Sequence, residues 1–459
     1  MSSPPRCFAG ASMRRPRGGL WSHRDFLKLW TGQSISELGS QISALAIPWL
    51  AAVELHAKPL EFAVLGMLGF LPFILFALPA GVWVDRLRRR PILIVGDAAR
   101  AVLLALIPIL WAMHELRMWH LLVIQFLVGI FTVFFDVAYQ SYLPSLVERD
   151  ALVDGNSKLQ MTASTATVAG PSIAGALISA LTAPYAIVLD AISFAISTAF
   201  MIPIRAAEKL PARAEGAVKS KMLPELKEGL AYVVRHPYLR PIAACTGSSN
   251  FFGSISFTIA LLYLVRTLHL SSFTVGFVFA MFGVGSVVGA VVASRVQRAL
   301  GVGRAIVFPA LLFPLASLQY VLAPTSFAVP VLVAGSLIGG YSQVTYNITQ
   351  VSLRQAITPQ RLQGRMNASM RWIVWGTLPL GQLAGGALAT AFSLRAALWV
   401  GAIGSCFTFL PVLLSSVRSI REMPEPVAEP SAGEAELAAG ILAGPTPPEV
   451  AAGAGENAA

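Results

Sequence analysis

At 459 residues the chain is 55% hydrophobic and only 12% charged, and its mean hydropathy is +0.67. Soluble domains carry about 25% charged residues, so a water-facing fold of this length is excluded, whereas lipid-facing helices need no polar face. The net charge of +11 raises nucleic acid as a partner, and the placement of the charges argues against it. Cys7, Cys245 and Cys406 lie too far apart for a disulfide framework or a metal-ligand pattern.

Residues 1–24 are Arg-rich, lack a cleavage site followed by a soluble domain, and read as a cytoplasmic leader without fixed structure. A spanning helix needs about 20 mostly apolar residues. Twelve segments meet that length: Thr31–Val53, Leu60–Val84, Ile92–Met113, Trp119–Leu143, Leu159–Leu181 and Ala183–Ile204, then Pro241–Val265, Thr274–Ser294, Ala305–Leu322, Ala328–Leu353, Ser369–Ala391 and Ala396–Ser416. The first is polar over half its length, through Gln33, Ser34, Ser36, Glu37, Ser40 and Gln41. A polar half-helix must face protein or a water-filled cavity.

Between the sixth and seventh segments, residues 206–240 form the longest polar stretch. Leu223, Leu226, Leu230, Val233 and Val234 recur there at helical spacing opposite Glu225, Lys227, Glu228 and Arg235. This predicts an amphipathic helix along the membrane face or against the bundle. The expected organisation is a leader (1–24), a six-helix half (25–205), a cytoplasmic linker (206–240), a second six-helix half (241–418) and a disordered cytoplasmic tail (419–459) rich in Pro, Ala, Gly and Glu.

Lys and Arg set the orientation. Of 34 basic residues, 29 fall on the side of the N-terminus; Lys58, Arg117, Arg266 and Arg395 lie opposite and Arg100 lies within a span. That asymmetry fits an even number of spans with both termini in the cytoplasm. The positive charge is a topology signal rather than a nucleic-acid patch.

The halves also resemble each other. Gly170-Pro-Ser-Ile-Ala-Gly-Ala-Leu177 parallels Gly381-Gln-Leu-Ala-Gly-Gly-Ala-Leu388 at an offset of 211 residues, and Gly66 parallels Gly276. Agreement on nearly one offset points to a duplication.

Between the second and third spans stands Gly81-Val-Trp-Val-Asp85-Arg86-Leu-Arg-Arg89-Arg90-Pro91. Around it are Gly96-Asp97-Ala-Ala-Arg100, Phe134-Phe-Asp136, Leu143-Pro-Ser-Leu-Val-Glu-Arg-Asp150 and Glu225-Leu-Lys-Glu-Gly-Leu230. The first pattern resembles the signature loop of the major facilitator superfamily, and the others resemble its branch of enterobactin and macrolide exporters, over roughly residues 22–420. The resemblance implies an all-α integral membrane protein of twelve transmembrane helices. They would form two six-helix halves related by a pseudo-two-fold axis along the membrane normal, rocking about a central cavity.

Physically the loop suits a latch, in which Gly81 permits close helix approach and Asp85, Arg86, Arg89 and Arg90 make contacts specific to one conformation. The alternative is that the arginines merely enforce topology. Gly170, Pro171 and Gly175 resemble the fifth-span motif associated with antiporters, although Ala166 and Ala174 replace glycines common there. The fourth span also lacks the Arg carried by many proton-coupled members.

Acids inside a membrane are costly and functional by default. Asp97 and Arg100 share a helical face and can neutralise each other. Asp136, with no cation within four residues and on one face with Tyr139 and Gln140, is either a proton carrier or a partner for the signature loop. Glu37 could line the cavity, and Asp190 is expected to reach interfacial water. Asn250, Tyr341, Gln343, Tyr346, Asn347, Gln350, Trp375 and Gln140 are candidates for an amphipathic organic cargo, with helix packing the commoner use of such residues.

Nothing in the sequence has the pattern of a nucleotide loop, metal cluster or nucleophile elbow, so no enzyme, metal or cofactor is expected and a proton gradient would supply the energy. The reading is a monomeric, multi-pass transporter of the inner membrane, with a small-molecule substrate, protons and lipid as its partners. It would export a drug-, macrolide- or siderophore-type compound by proton antiport. An importer or lipid-handling transporter of the same fold, or a non-transporting sensor or chaperone, are the alternatives.

Overall fold

The computed structural model describes residues 19–84, 86–147, 151–204 and 222–424. The expectations for Asp85, most of the leader, residues 148–150, the linker up to residue 221 and the tail from 425 lie outside the described residues. So do those for the side chains of Met222–Lys227.

The first half consists of α1 (Arg24–Val53), α2 (Pro59–Val84), α3 (Arg89–Ala112), α4 (Met118–Leu146), α5 (Leu152–Leu181) and α6 (Ala183–Met201). After α7 (Met222–Arg235) come α8 (Leu239–Arg266), α9 (Ser272–Leu300), α10 (Val302–Leu322), α11 (Ala328–Ile357), α12 (Gln360–Ala391), α13 (Leu394–Ser405) and the short α14 (Leu410–Leu413). Among the described residues, ten spans are long and apolar enough to cross a membrane, α13 and α14 counting as one. The other two of the expected twelve, α1 and α12, are more polar but 30 and 32 residues long, and they pack among the rest.

Most helices end where the apolar runs end, but α1, α5 and α12 begin seven to nine residues before the predicted spans. Polar residues outside the hydrocarbon keep helical geometry wherever a cap and a packing partner exist. For α1, the His23 imidazole accepts from the Phe26 N–H at 3.1 Å, and Leu20, Phe26 and Leu29 are buried. The last predicted span is instead broken. Pro411 opens α14 and has no N–H to continue the helix from α13, and Cys406 closes α13 by turning its N–H onto the last carbonyls.

Packing within the halves is pairwise equivalent. In the first, α1 lies against α5 and α6, α3 against α4 and α6, and α2 against α4; in the second, α8 lies against α12 and α13, α10 against α11 and α13, and α9 against α11. The halves meet along two equivalent lines, α5 with α9 and α2 with α12. The sequence duplication sits on these lines. A Cβ on Gly175 would come within 3.1 Å of the Gly276 Cα, and one on Gly386, 211 residues later, within 3.1 Å of the Leu60 Cα. Both sites require the close approach only glycine permits.

The buried core is divided unequally. One apolar cluster runs through both halves, joining Leu45, Leu50 and Ala51 of α1 to Ile259, Leu262 and Leu264 of α8 and Val275 of α9. On the face carrying the basic loops the core separates into two. Leu29, Leu93, Phe135 and Leu143 belong to the first half alone, and Val233, Ile242, Ile306, Leu353 and Met370 to the second.

The amphipathic helix exists as α7 and docks on α12. Gly229 faces the Arg365 backbone, where a Cβ would come within 2.6 Å of its carbonyl oxygen, and Glu228 pairs with the Arg365 guanidinium. Val233 is buried while Val234 is exposed, so the apolar face is narrower than the spacing suggested. At its end the His236 Nδ1 accepts from the Tyr238 and Leu239 N–H groups, opening α8. Burial lowers the affinity of that imidazole for a proton below its ordinary value.

Candidate transport site

The buried charges of the first half gather around Arg100 of α3. Its guanidinium pairs with Asp97 one turn before it, and its Nε lies 3.4 Å from the Gly96 carbonyl oxygen. Phe135 of α4 and Phe194 of α6 sandwich it, each ring centroid 4.3 Å away. A flat guanidinium can stack on two rings and keep its edge for a carboxylate, which an ammonium cannot do. The second Asp97 oxygen accepts from the Ser197 hydroxyl of α6 at 2.6 Å. Asp97 is 0% and Arg100 5% exposed, so this pair is sealed between α3, α4 and α6.

Arg100 serves more than its neighbour. Only Asp97 touches it; Glu37 of α1, Asp136 of α4 and Asp190 of α6 feel its charge at longer range. Asp136 lacks a cation on its own helix, as the sequence indicates, yet α3 supplies one. It also feels the Glu37 charge, and Tyr139 stacks on Phe135 beside it at 5.8 Å. Asp190 does not reach interfacial water. It is 1% exposed and accepts from the Ser193 hydroxyl at 3.1 Å, because α6 packs its middle, not its end, against Gly39 of α1.

The fifth-span motif bears on the same cluster. A Cβ at Gly170 would collide with the Gln41 side chain, and Gln41 and Gln33 stand one turn on either side of Glu37 on α1. The glycine thus makes room on α5 for Gln41, one turn from Glu37. Gly175 faces the other half instead, and Pro171 offers its carbonyl to the same contact, over Gly276.

The signature loop divides. Gly81 does not mediate close helix approach, since a Cβ there would meet nothing within 4 Å. Arg90 donates to the carbonyls of Met201 and Ile202, capping the end of α6 in its own half. Arg86 is exposed, and Arg89 is half-buried.

The proposed cargo residues also separate. Asn250 donates to the Val374 carbonyl at 2.9 Å and ties α8 to α12. Tyr346, 3% exposed, bonds Thr246 at 2.8 Å and packs on Phe313, so its place is inside the second half. Gln350 is buried too, between Asn347 and Arg354. Tyr341 is half-buried, while Gln140, Gln343 and Asn347 are exposed. Trp375 is 40% exposed, lies under Arg371, and meets Phe73 of the opposite half edge-on at 6.4 Å. It stands on the seam. The sequence reading overlooked Phe73, whose place on the seam shows only once α2 and α12 are paired.

The matched helical halves agree with the comparisons with known proteins. The family model described as transmembrane secretion effector matches residues 20–439. The chain belongs to that family of the major facilitator superfamily. Macrolide efflux protein A of Streptococcus pyogenes is 27% identical over 206 residues, 45% of this chain and 50% of that protein. The multidrug efflux pump Tap of Mycolicibacterium fortuitum is 26% identical over 374 residues, 78% of this chain and 87% of the pump. The chain spans about half the length of several relatives it matches, the macrolide protein among them. Among solved structures, a bacterial homologue of the iron transporter ferroportin in the inward-facing state superposes with a TM-score of 0.65. It has 16% identity, over 85% of this chain and 98% of that one, a likeness of fold.

Proposed function

We propose that this transporter exports an amphipathic organic molecule from the cell in exchange for protons. The observation that carries the reading is that one buried cation, Arg100, pairs with Asp97 while Glu37, Asp136 and Asp190 share only its longer-range charge. With Asp97 neutralised by its ion pair, negative charge remains in excess among Glu37, Asp136 and Asp190. A charge buried in a membrane protein without a full partner is expensive. A proton or a cationic cargo can each remove that expense, and competition between them is antiport. Relatives named for macrolide and multidrug efflux support the direction and the cargo class.

Asp136 is assigned the proton-exchanging role. It lies one turn from exposed Gln140 on α4 and is less buried than Asp97 or Asp190. Glu37 is assigned to sense the cargo from α1. With the basic loops in the cytoplasm, the divided core corresponds to the inward-open conformation of an inner-membrane protein. The undivided apolar cluster is then its outer seal. Cargo enters from the cytoplasm on the face where the core is divided between the halves. Proton arrival from outside, after the halves rock about α2/α12 and α5/α9, displaces it.

The experiment uses everted vesicles with an imposed inward-acid gradient and a panel of fluorescent amphipathic cations and a macrolide. Uptake by the wild type that Asp136→Asn lowers at least tenfold is expected. Gradient-independent uptake, or an Asp136→Asn variant equal to wild type, contradicts antiport through this residue.

A further inference from the structure

The turns that end α1 and α8 are copies of one another. Leu55-His56-Ala57 and Leu268-His269-Leu270 stand 213 residues apart, and His56 and His269 both adopt the left-handed conformation, with φ of 48° and 51°. Their backbone bonds repeat at the same offset. The N–H groups of Glu54 and Leu55 donate to the Leu50 carbonyl and that of Ala57 to Ala51, as those of Thr267 and Leu268 donate to Tyr263 and that of Leu270 to Leu264. Each helix thereby satisfies two of its last four carbonyls with its own turn.

One residue breaks this symmetry. Where α1 carries Val53, the last turn of α8 carries Arg266. Its Nη2 crosses the seam and donates to the carbonyls of Ala52 and Ala57, each at 2.9 Å. Ala52 lies in the last turn of α1, so a cation of one half caps a helix of the other at the negative end of its dipole. The contact sits at the edge of the apolar seal, where Ala51, Ala52, Ala57, Leu262 and Leu264 are buried together. A positive-inside count treats Arg266 as one of four residual outer charges. Topology requires no cation on that face.

We infer that Arg266 is the outer latch of the transporter, a positioning residue that holds the halves together on the face away from the basic loops and must release Ala52 and Ala57 before that face can open. The apolar seal alone gives no register between two smooth helix ends; two hydrogen bonds from one planar nitrogen do. The inference rests on the transport reading only for the existence of a second, outward-open conformation. It is independent of cargo and coupling ion.

The test is a distance measurement on the full chain in lipid nanodiscs. Cys7, Cys245 and Cys406 are replaced by Ser, and spin labels are placed at Glu115→Cys and Thr325→Cys, exposed positions in outer loops of opposite halves. Double electron–electron resonance then gives the ratio of long to short outer distances without cargo or gradient. Because a charge-assisted hydrogen bond is worth about tenfold in an equilibrium constant, Arg266→Ala is expected to raise that ratio about tenfold. Arg266→Gln, which keeps an amide donor on a shorter arm, is expected to raise it less, and it carries the test if the alanine variant does not fold. Distance distributions identical in the wild type and the folded variant overturn the latch. Such a result leaves antiport intact, and loss of antiport leaves these distances unaffected.

Discussion

At the scale of single residues, the account turns on Arg100. Its sequence neighbourhood shows one partner, Asp97, and that pairing is legible from a three-residue spacing on a helix. The remaining carboxylates lie on α1, α4 and α6, and no spacing along one helix reveals that they converge. The two stacking rings, Phe135 and Phe194, are likewise contributions of other helices. Removing the guanidinium leaves buried carboxylates without their common partner, a change that costs about 3–5 kcal/mol in comparable buried pairs. Arg100→Gln is therefore expected to lower the unfolding temperature of the detergent-solubilised protein markedly. Asp97→Asn added to Arg100→Gln should restore more than half of the loss, since a neutral pair needs no compensation. Thermal scans of the three proteins check this, and a single variant as stable as wild type would show that the cluster does not depend on Arg100.

At the scale of elements, the helices themselves were the most legible feature, because a bilayer imposes a length and a composition on each. What sequence could not resolve was which small residues are in contact. Gly81, Gly170 and Gly175 look alike in an apolar run. In the structure Gly175 meets the opposite half, Gly170 accommodates Gln41, and Gly81 faces open space. The duplication offset was the better guide, because it pairs Gly175 with Gly386 and both lie on the seam. These differences separate by mutation. Gly175→Val should abolish transport while the protein still inserts, because its side chain would meet Ser272 and Gly276. Gly81→Ala should leave transport unchanged and stabilise α2 by about 0.5–1 kcal/mol, the usual helix-interior gain. Transport assays alongside thermal scans distinguish the two. An inactive Gly81→Ala would mean that the signature loop packs tightly in another conformation.

At the scale of the whole molecule, hydropathy anticipated the spans, and the packing adds how their core is divided. The core is continuous on one face and divided on the other. Chain composition has no record of that, since apolar residues look alike wherever in the core they pack. Nor does it record the cargo: Trp375 and Phe73 mark the seam, but aromatic walls accept many amphipathic molecules. The central claim is that cargo movement is coupled to a proton on Asp136, and counterflow separates coupling from movement. In proteoliposomes preloaded with a transported compound and held at equal pH on both sides, Asp136→Asn should exchange labelled for unlabelled cargo at a rate near that of wild type. The same vesicles under a pH gradient should show no accumulation. Loss of counterflow and accumulation together would contradict the account, since it would make Asp136 a cargo ligand or a structural residue rather than the site of coupling.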